Sequence, residues 1–154
     1  RCLSKATPEV AQYPFTTKEI HIGHMERKQK YLLKRFQIID TPGLFDRPLE
    51  KRNDIERLAV AALTHLADVI LFLFDPSETC GYSISEQQQL LDYIKKTFTD
   101  VDLLIIDCKA DLLKTPTDHI MVSCETKKGI DELTDLLFNS YYPTQKSTEE
   151  QNIE

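Results

Sequence analysis

Short apolar runs alternate along the chain with stretches in which apolar residues recur at helical spacing. The runs are rich in branched and aromatic residues and lie at residues 36–39, 69–74 and 103–106, with a weaker one at 120–122. Because they are largely continuous, they are typical of strands that helices cover on both faces of a parallel sheet. We therefore predict a parallel sheet with intervening helices.

Three amphipathic helices are predicted between and after these strands. The first covers residues 52–66, with Asn53 or Asp54 as its N-cap. The second follows Ser85, which with Gln88 three residues later matches a capping box. The third carries apolar residues at 130, 133, 136 and 137. Strand and helix thus alternate, which predicts a doubly wound α/β layer.

An antiparallel hairpin is predicted at one edge of the sheet. Residues 18–26 and 31–39 flank a charged stretch, residues 27–30, that suits an exposed turn. At the other end of the chain, residues 143–154 are polar and lack periodicity, which is typical of a disordered tail or a linker. We therefore expect one domain over residues 1–142, followed by a polar tail.

Composition and charge narrow the kind of partner. The 154 residues have a formal net charge of −6, which argues against binding nucleic acid through a broad basic face. The apolar run 69–74 is far shorter than the ~20 residues that cross a bilayer, so no membrane segment is expected. The four cysteines are scattered, show no C-x-x-C spacing and accompany no secretory signal, which predicts reduced thiols and a cytoplasmic location.

Residues 40–43, Asp-Thr-Pro-Gly, directly follow a predicted strand, and this is the edge at which open α/β sheets bind ligands. Asp40 is suited to the outer shell of Mg²⁺, and the Gly43 amide is unobstructed and suited to a γ-phosphate. An ordinary strand-to-turn junction is the alternative. Upstream, Thr17 lies at the right interval for a switch segment whose hydroxyl completes Mg²⁺ coordination, and we favour it over Thr16.

Residues 108–111, Cys-Lys-Ala-Asp, follow the run 103–106 and resemble the Asn-Lys-x-Asp guanine signature of GTPases. Asp111 would accept hydrogen bonds from guanine N1 and N2, whereas adenine presents an acceptor there. The stem of Lys109 would lie along the base, while Cys108 replaces Asn with a weakly hydrogen-bonding thiol. Ser123 and Cys124 resemble the loop whose backbone amide approaches guanine O6. A solvated Lys and Asp in a turn is the alternative interpretation.

Two segments carry a closer resemblance. Residues 40–82, DTPGLFDRPLEKRNDIERLAVAALTHLADVILFLFDPSETCGY, and residues 6–17, ATPEVAQYPFTT, resemble the nucleolar GTP-binding protein (Nog) branch of the Obg-like GTPases, in its archaeal form. The resemblance implies a three-layer P-loop NTPase G domain with a mostly parallel sheet and one antiparallel edge strand. It further implies GTP or GDP with Mg²⁺ as cofactors and a role in large ribosomal subunit assembly.

Several features depart from the family pattern. We expect the phosphate-binding loop Gly-x-x-x-x-Gly-Lys-Ser and its preceding strand to lie just upstream of Arg1; in the family that strand sits between the strands at 36–39 and 69–74. Leu44 stands where Ras-like proteins have a water-orienting Gln, so slow intrinsic hydrolysis is expected. Residues 112–119 are too few for the full helix most G domains have there.

These features predict a GTP-hydrolysing switch that binds guanine nucleotide. We expect it to act on a pre-ribosomal particle or rRNA through other parts of the protein. A degenerate G domain that serves as a non-hydrolysing binding module or scaffold is the main alternative. An ATPase of the P-loop class with a coincidental Lys-Ala-Asp is the third.

Overall fold

A computed structural model describes residues 3, 21–29, 31–40, 60–61, 63–113, 115 and 117–142. Its elements in chain order are the strands β1 (His21–Gln29), β2 (Leu32–Asp40) and β3 (Val69–Phe74), the helix α1 (Ile84–Thr97), the strands β4 (Asp102–Asp107) and β5 (Ile120–Met121), and the helix α2 (Ile130–Tyr141). Of the helix predicted over 52–66, residues 60–61 and 63–66 are helical and the others lie outside the described residues.

The first two strands form the predicted antiparallel hairpin. They pair in register from His21 opposite Asp40 to Gln29 opposite Leu32. The pairing therefore continues three residues beyond the predicted end of the first strand, and the predicted turn 27–30 is wrong in its position. Arg27 and Lys28 lie in β1 because ladder hydrogen bonds hold the backbone. The Lys28 side chain is exposed, whereas Arg27, on the opposite face, lies over the Phe138 ring and pairs with Asp135 of α2.

The other three strands form a parallel sheet in the order β3, β4, β5. Successive residues of β3 and β4 face opposite sides of the sheet, so every second residue lies on the same side. One side packs against α1 and the other against α2. The first set is Ile70, Phe72, Leu103 and Ile105, and the second is Val69, Leu71, Leu104 and Ile106. Helices thus cover both faces over most of these strands, although Leu73 is 62% exposed. This coverage explains the apolar runs 69–74 and 103–106 and confirms the α/β class.

The helix α1 begins at a capping box, although not at the predicted one. The Ser83 side chain accepts a hydrogen bond from the Glu86 backbone amide, and the Glu86 carboxylate accepts one from the Ser83 amide. Ser85 lies inside the helix, so the predicted Ser85–Gln88 box is wrong by two positions. The two Ser-x-x-Glu/Gln patterns overlap in sequence, and in the structure the earlier one makes both reciprocal hydrogen bonds of the box.

The helix α2 joins the hairpin to the parallel sheet. Its buried residues Leu133, Leu137 and Phe138 share a core with Met25 of β1 and Ile106 of β4. Among the described residues the two sheets are not hydrogen-bonded to each other. The pair and the parallel sheet together are consistent with part of a G domain. Within the described ranges no helix has the length and apolar character needed to span a bilayer.

Candidate nucleotide-binding site

Three loops meet where the strands of the parallel sheet end. The loop after β4 is held on one side by β3, since the Cys108 amide donates to the Phe74 carbonyl at 2.7 Å. On the other side the Ala110 amide donates to the Val122 carbonyl at 3.0 Å. The Val122 amide in turn donates to the Asp107 carbonyl at 2.7 Å. The tetrad 108–111 is therefore fixed between the β3 end and the loop after β5, at the edge where such sheets bind ligands.

Asp111 is exposed at this edge and its carboxylate is oriented by Ser123. The Ser123 hydroxyl donates a hydrogen bond to Asp111 Oδ1 and accepts one from the Thr126 amide at 3.1 Å. Ser123 is only 1% exposed, so its hydroxyl is a fixed support for a carboxylate that faces solvent. The structure thus brings together two of the residues that the sequence pattern assigned to the guanine site.

Lys109 makes an ion pair across the same edge. Its Nζ lies 2.6 Å from Asp75 Oδ2 and 2.5 Å from Thr79 Oγ1. Asp75 directly follows β3 and is 5% exposed. Burial raises the pKa of Asp75, but hydrogen bonds from Lys109 and Ser77 and the charge of Lys109 outweigh it, so the pKa lies below its usual value. Asp75 is therefore a buried anion at physiological pH.

Cys108 occupies the position of the signature Asn but makes little of its hydrogen bonding. Its Sγ lies 4.0 Å from the carbonyl of Ile106 in its own strand, a weak contact at the limit for sulfur. Burial raises the pKa of Cys108 to about 12. The side chain is thus a neutral, poorly reactive thiol at physiological pH, and it contributes little to bracing the loop.

The connection between β4 and β5 is short, as the sequence length indicated. Its described residues 111–113, 115 and 117–119 contain no helix. Asp107, 1% exposed at the end of β4, accepts a hydrogen bond from the Thr117 hydroxyl and lies 3.2 Å from His119 Nδ1. These two contacts hold the short connection against the end of β4, next to residues 108–111, which we call the guanine loop.

Asp40 is the last residue of β2. Its place in the layer is judged from contacts that earlier residues of the same strand make with α2. The start of β2 meets the last turn of the helix, because the Tyr142 hydroxyl donates to the Arg35 carbonyl at 2.7 Å. One residue later, Phe36 packs against Phe138, one turn back, with ring centroids 5.0 Å apart. Phe36 also lies 5.2 Å from the Tyr142 ring, so these contacts place the middle of β2 at the end of α2. Because a strand of a parallel sheet runs opposite to the helix that covers it, we expect Asp40 toward the end at which α2 begins.

The start of α2 lies at the same edge as the guanine loop. Gly129, its N-cap, packs against Met121 at the end of β5, and the Ser123 amide donates to the Lys128 carbonyl at 2.9 Å. Asp40 and Asp111 are consequently expected at one edge of the layer. A single nucleotide could contact both only under this condition.

Of the remaining predicted site residues, the structure describes Cys124 but not Thr17 or Gly43. Cys124 is exposed in the loop after Ser123, where its backbone was expected to approach guanine O6. In the described part of the chain, no three His, Cys, Asp or Glu residues gather as a metal-binding group. Mg²⁺ coordination by Thr17 and Asp40 thus stays a prediction.

Two residues of this edge were not assigned by the sequence pattern. Asp75 and Gln87 are buried polar residues, and the Gln87 side chain makes two hydrogen bonds with the Asp75 backbone. The Asp75 amide donates to Gln87 Oε1 at 2.7 Å, and Gln87 Nε2 donates to the Asp75 carbonyl at 2.9 Å. For Asp75 the sequence did carry a signal. This carboxylate directly follows an apolar run, as Asp40 does.

Comparison with known proteins finds relatives that share one name. The family model described as Nucleolar GTP-binding protein 1 (NOG1) matches residues 54–111. Relatives named Nucleolar GTP-binding protein 1 include one from Drosophila melanogaster, 47% identical over 75% of this chain, and one from Arabidopsis thaliana, 43% identical over 85%. Another, from Encephalitozoon cuniculi, is 39% identical over 85%. The chain spans 17%, 18% and 26% of the length of these three relatives, respectively.

Two expectations from the sequence are corrected by these relatives. They come from eukaryotes, so the archaeal form of the branch is not supported. Their name refers to the nucleolus, which contradicts the expected cytoplasmic location. The family match and the relatives nevertheless place this chain's similarity among proteins named Nucleolar GTP-binding protein 1.

Proposed function

We propose that this chain supplies the guanine-binding part of a GTP-hydrolysing switch that acts in large ribosomal subunit assembly in the nucleolus. The observation that carries the proposal is the exposed Asp111 carboxylate, fixed by the buried Ser123 hydroxyl beside Lys109. A preoriented carboxylate at the ligand-binding edge of a parallel sheet suits the recognition of two adjacent N–H donors.

Guanine presents such a pair of donors at N1 and N2. Adenine has an acceptor at N1, so its binding would leave the Asp111 carboxylate unpaired. The Lys109 stem would cover one face of the base, and the Cys124 amide would donate to O6. Each of these roles uses an atom at the same edge of the sheet.

Phosphate and metal contacts would come from the adjacent segments. Asp40, exposed at the end of β2, offers the hard oxygen ligand that Mg²⁺ prefers. In the proposal Thr17 adds a hydroxyl to the ion and the Gly43 amide donates to the γ-phosphate. Mg²⁺, when bound, neutralises charge on the phosphates. Ordering of these two segments by GTP would give the switch its two states.

The partner is proposed from the relatives' names and from charge. A nucleolar protein of this branch would meet a pre-ribosomal particle, which supports that partner class. With a net charge of −6, this chain has no excess of cations to bind rRNA by itself. We therefore assign rRNA contact to other parts of the protein.

A non-hydrolysing scaffold is the second candidate, and Cys108 favours it. The buried thiol makes only a weak contact at the Asn position, which lowers the support for the guanine loop. Leu44 likewise cannot orient an attacking water by hydrogen bonding. Both features weaken an enzyme more than they weaken a binding module.

Single-turnover hydrolysis of GTP by the full-length protein separates the two candidates. We expect hydrolysis with a rate constant of about 10⁻³ s⁻¹ or less, since Leu44 replaces the usual water-orienting side chain. Chelation of Mg²⁺ should abolish it, and Asp40→Asn should slow it about tenfold or more. Asp100→Asn is the control, because Asp100 is exposed and precedes β4 at the other edge of the sheet. This variant should leave the rate unchanged. Binding of GTP with no hydrolysis above the spontaneous rate would favour the scaffold.

A further inference from the structure

The loop after β3, residues 75–82, lies against the guanine loop and was given no role by the proposed function. Its centre is the Asp75 carboxylate, which is 5% exposed. The Ser77 amide and hydroxyl donate to Oδ1 at 3.0 and 2.5 Å, and the Cys80 amide donates to Oδ2 at 2.9 Å. The carboxylate thereby folds its own loop into a fixed platform.

The platform is also anchored to the core. Gln87, 7% exposed on α1, donates to the carbonyls of Asp75 and Tyr82 at 2.9 and 3.1 Å, so it joins both ends of the loop. The Glu78 carboxylate accepts a hydrogen bond from the Ile84 amide at 2.7 Å, in the first turn of α1. The loop therefore moves with the helix and the sheet.

Lys109 reaches this platform from the guanine loop in a strained backbone conformation. Its φ of 54° lies in the left-handed region, which is unfavourable for a residue with a Cβ. Such a conformation persists when the surroundings determine it. The contacts of Nζ with Asp75 Oδ2 and Thr79 Oγ1 are the side-chain interactions that hold Lys109 there.

Cys108 explains why this support matters in this chain. Where the guanine signature has an amide side chain, the thiol offers only its weak 4.0 Å contact with its own strand. The loop 108–111 is thus braced by backbone hydrogen bonds to β3 and to Val122, by Ser123 beneath Asp111, and by the Lys109–Asp75 ion pair.

From this arrangement we infer that Asp75 is a positioning residue for guanine-nucleotide binding, which sets Lys109 against the base and replaces bracing that Cys108 does not supply. The inference rests on the proposed function and adds a residue to it. Asp75 would not touch the nucleotide; it acts through Lys109. Its effect should accordingly depend on what occupies position 108.

The test is a double-mutant cycle on GDP affinity in the full-length protein, measured by calorimetric titration. Asp75→Asn keeps an acceptor for Ser77 at Oδ1. It replaces Oδ2, so the charge that pairs with Lys109 and the acceptor of the Cys80 amide are both lost. We expect it to weaken GDP binding about tenfold, the size typical of a hydrogen bond to a charged group. In a Cys108→Asn background the same change should weaken binding about threefold or less, because the Asn amide restores bracing.

Asp92→Asn is the matched control, because Asp92 is an exposed carboxylate on α1 that pairs with Gln88. It should leave GDP affinity unchanged in both backgrounds. Equal losses from Asp75→Asn in the two backgrounds would overturn the inference, since a purely structural role adds independently of position 108. An Asp75→Asn protein as tight as the Asp92→Asn protein would overturn it as well.

Two further outcomes have assigned meanings. If Asp75→Asn does not fold, Thr79→Val is the alternative variant. Thr79 is exposed, and the substitution removes one Lys109 contact while the Asp75 carboxylate stays in place. It should weaken binding about threefold and be rescued by Cys108→Asn; additive losses would again overturn the inference. Failure of the unmodified protein to bind GDP would instead contradict the proposed function, so the two failures are distinct.

Discussion

Replacing Asp111 by Asn in the full-length protein should weaken GDP binding by about a hundredfold or more and make XDP the preferred nucleotide. The charge that strengthens both hydrogen bonds from guanine is lost, and the new amide donor faces the N2 donor, where a hydrogen bond to a charged group contributed about 1.5–3 kcal/mol. Xanthine has a carbonyl at C2 instead of an amino group. In the variant, the carbonyl oxygen of the new side chain could still accept from the Ser123 hydroxyl, which leaves its amide to donate to that C2 carbonyl.

Competitive titration of GDP and XDP against both proteins measures this change. Asp118→Asn is the control, since Asp118 is an exposed carboxylate in the short connection after the guanine loop. We expect it to leave the preference for GDP intact. An Asp111→Asn protein that still prefers GDP would remove Asp111 from the guanine site.

Replacing Gly129 by Ala should destabilise the fold by about 3 kcal/mol or more. A Cβ at this position would lie 2.1 Å from the Met121 carbonyl oxygen and 3.1 Å from its carbonyl carbon, both backbone atoms that cannot rotate away. The φ of 73° adds left-handed strain. Because Gly129 is the N-cap of α2, relief of the clash must move the helix away from its core.

The midpoint of urea unfolding in the full-length protein measures this loss. Gly81→Ala is the control, since Gly81 also has a positive φ, 89°, but is exposed in the loop before α1. It should lower the unfolding free energy by only about 1–2 kcal/mol, the cost of the backbone conformation. Equal shifts for the two variants would show that the Met121 contact does not constrain α2.

Periodicity predicted the elements because burial on both faces leaves a clear mark. The runs at 69–74 and 103–106 became β3 and β4, and α2 follows the apolar spacing from Ile130. Boundaries were less predictable: ladder pairing extends β1 through charged Arg27 and Lys28, which have no strand signal of their own. Two overlapping capping patterns offered different starts for α1, and only the structure shows that Ser83 and Glu86 form the box.

The loops of the candidate site could be predicted from motifs. Resemblance to the guanine signature assigned residues 108–111 and Ser123 to the site, and the structure holds their loops together at the edge where the parallel strands end. Their contact with guanine stays a prediction. The Asp75–Lys109 pair was missed because its members are 34 residues apart and meet only through β3–β4 pairing. Composition and thiol spacing also could not separate the cytoplasm from the nucleolus, since both keep cysteines reduced.

The most direct test of the account is calorimetric titration of the full-length protein with GDP and, separately, with ADP. Recognition by the Asp111 carboxylate predicts that GDP binds and that ADP binds at least about a hundredfold more weakly, because adenine leaves the carboxylate unpaired. Equal affinity for the two nucleotides, or no GDP binding at millimolar concentration, would contradict it.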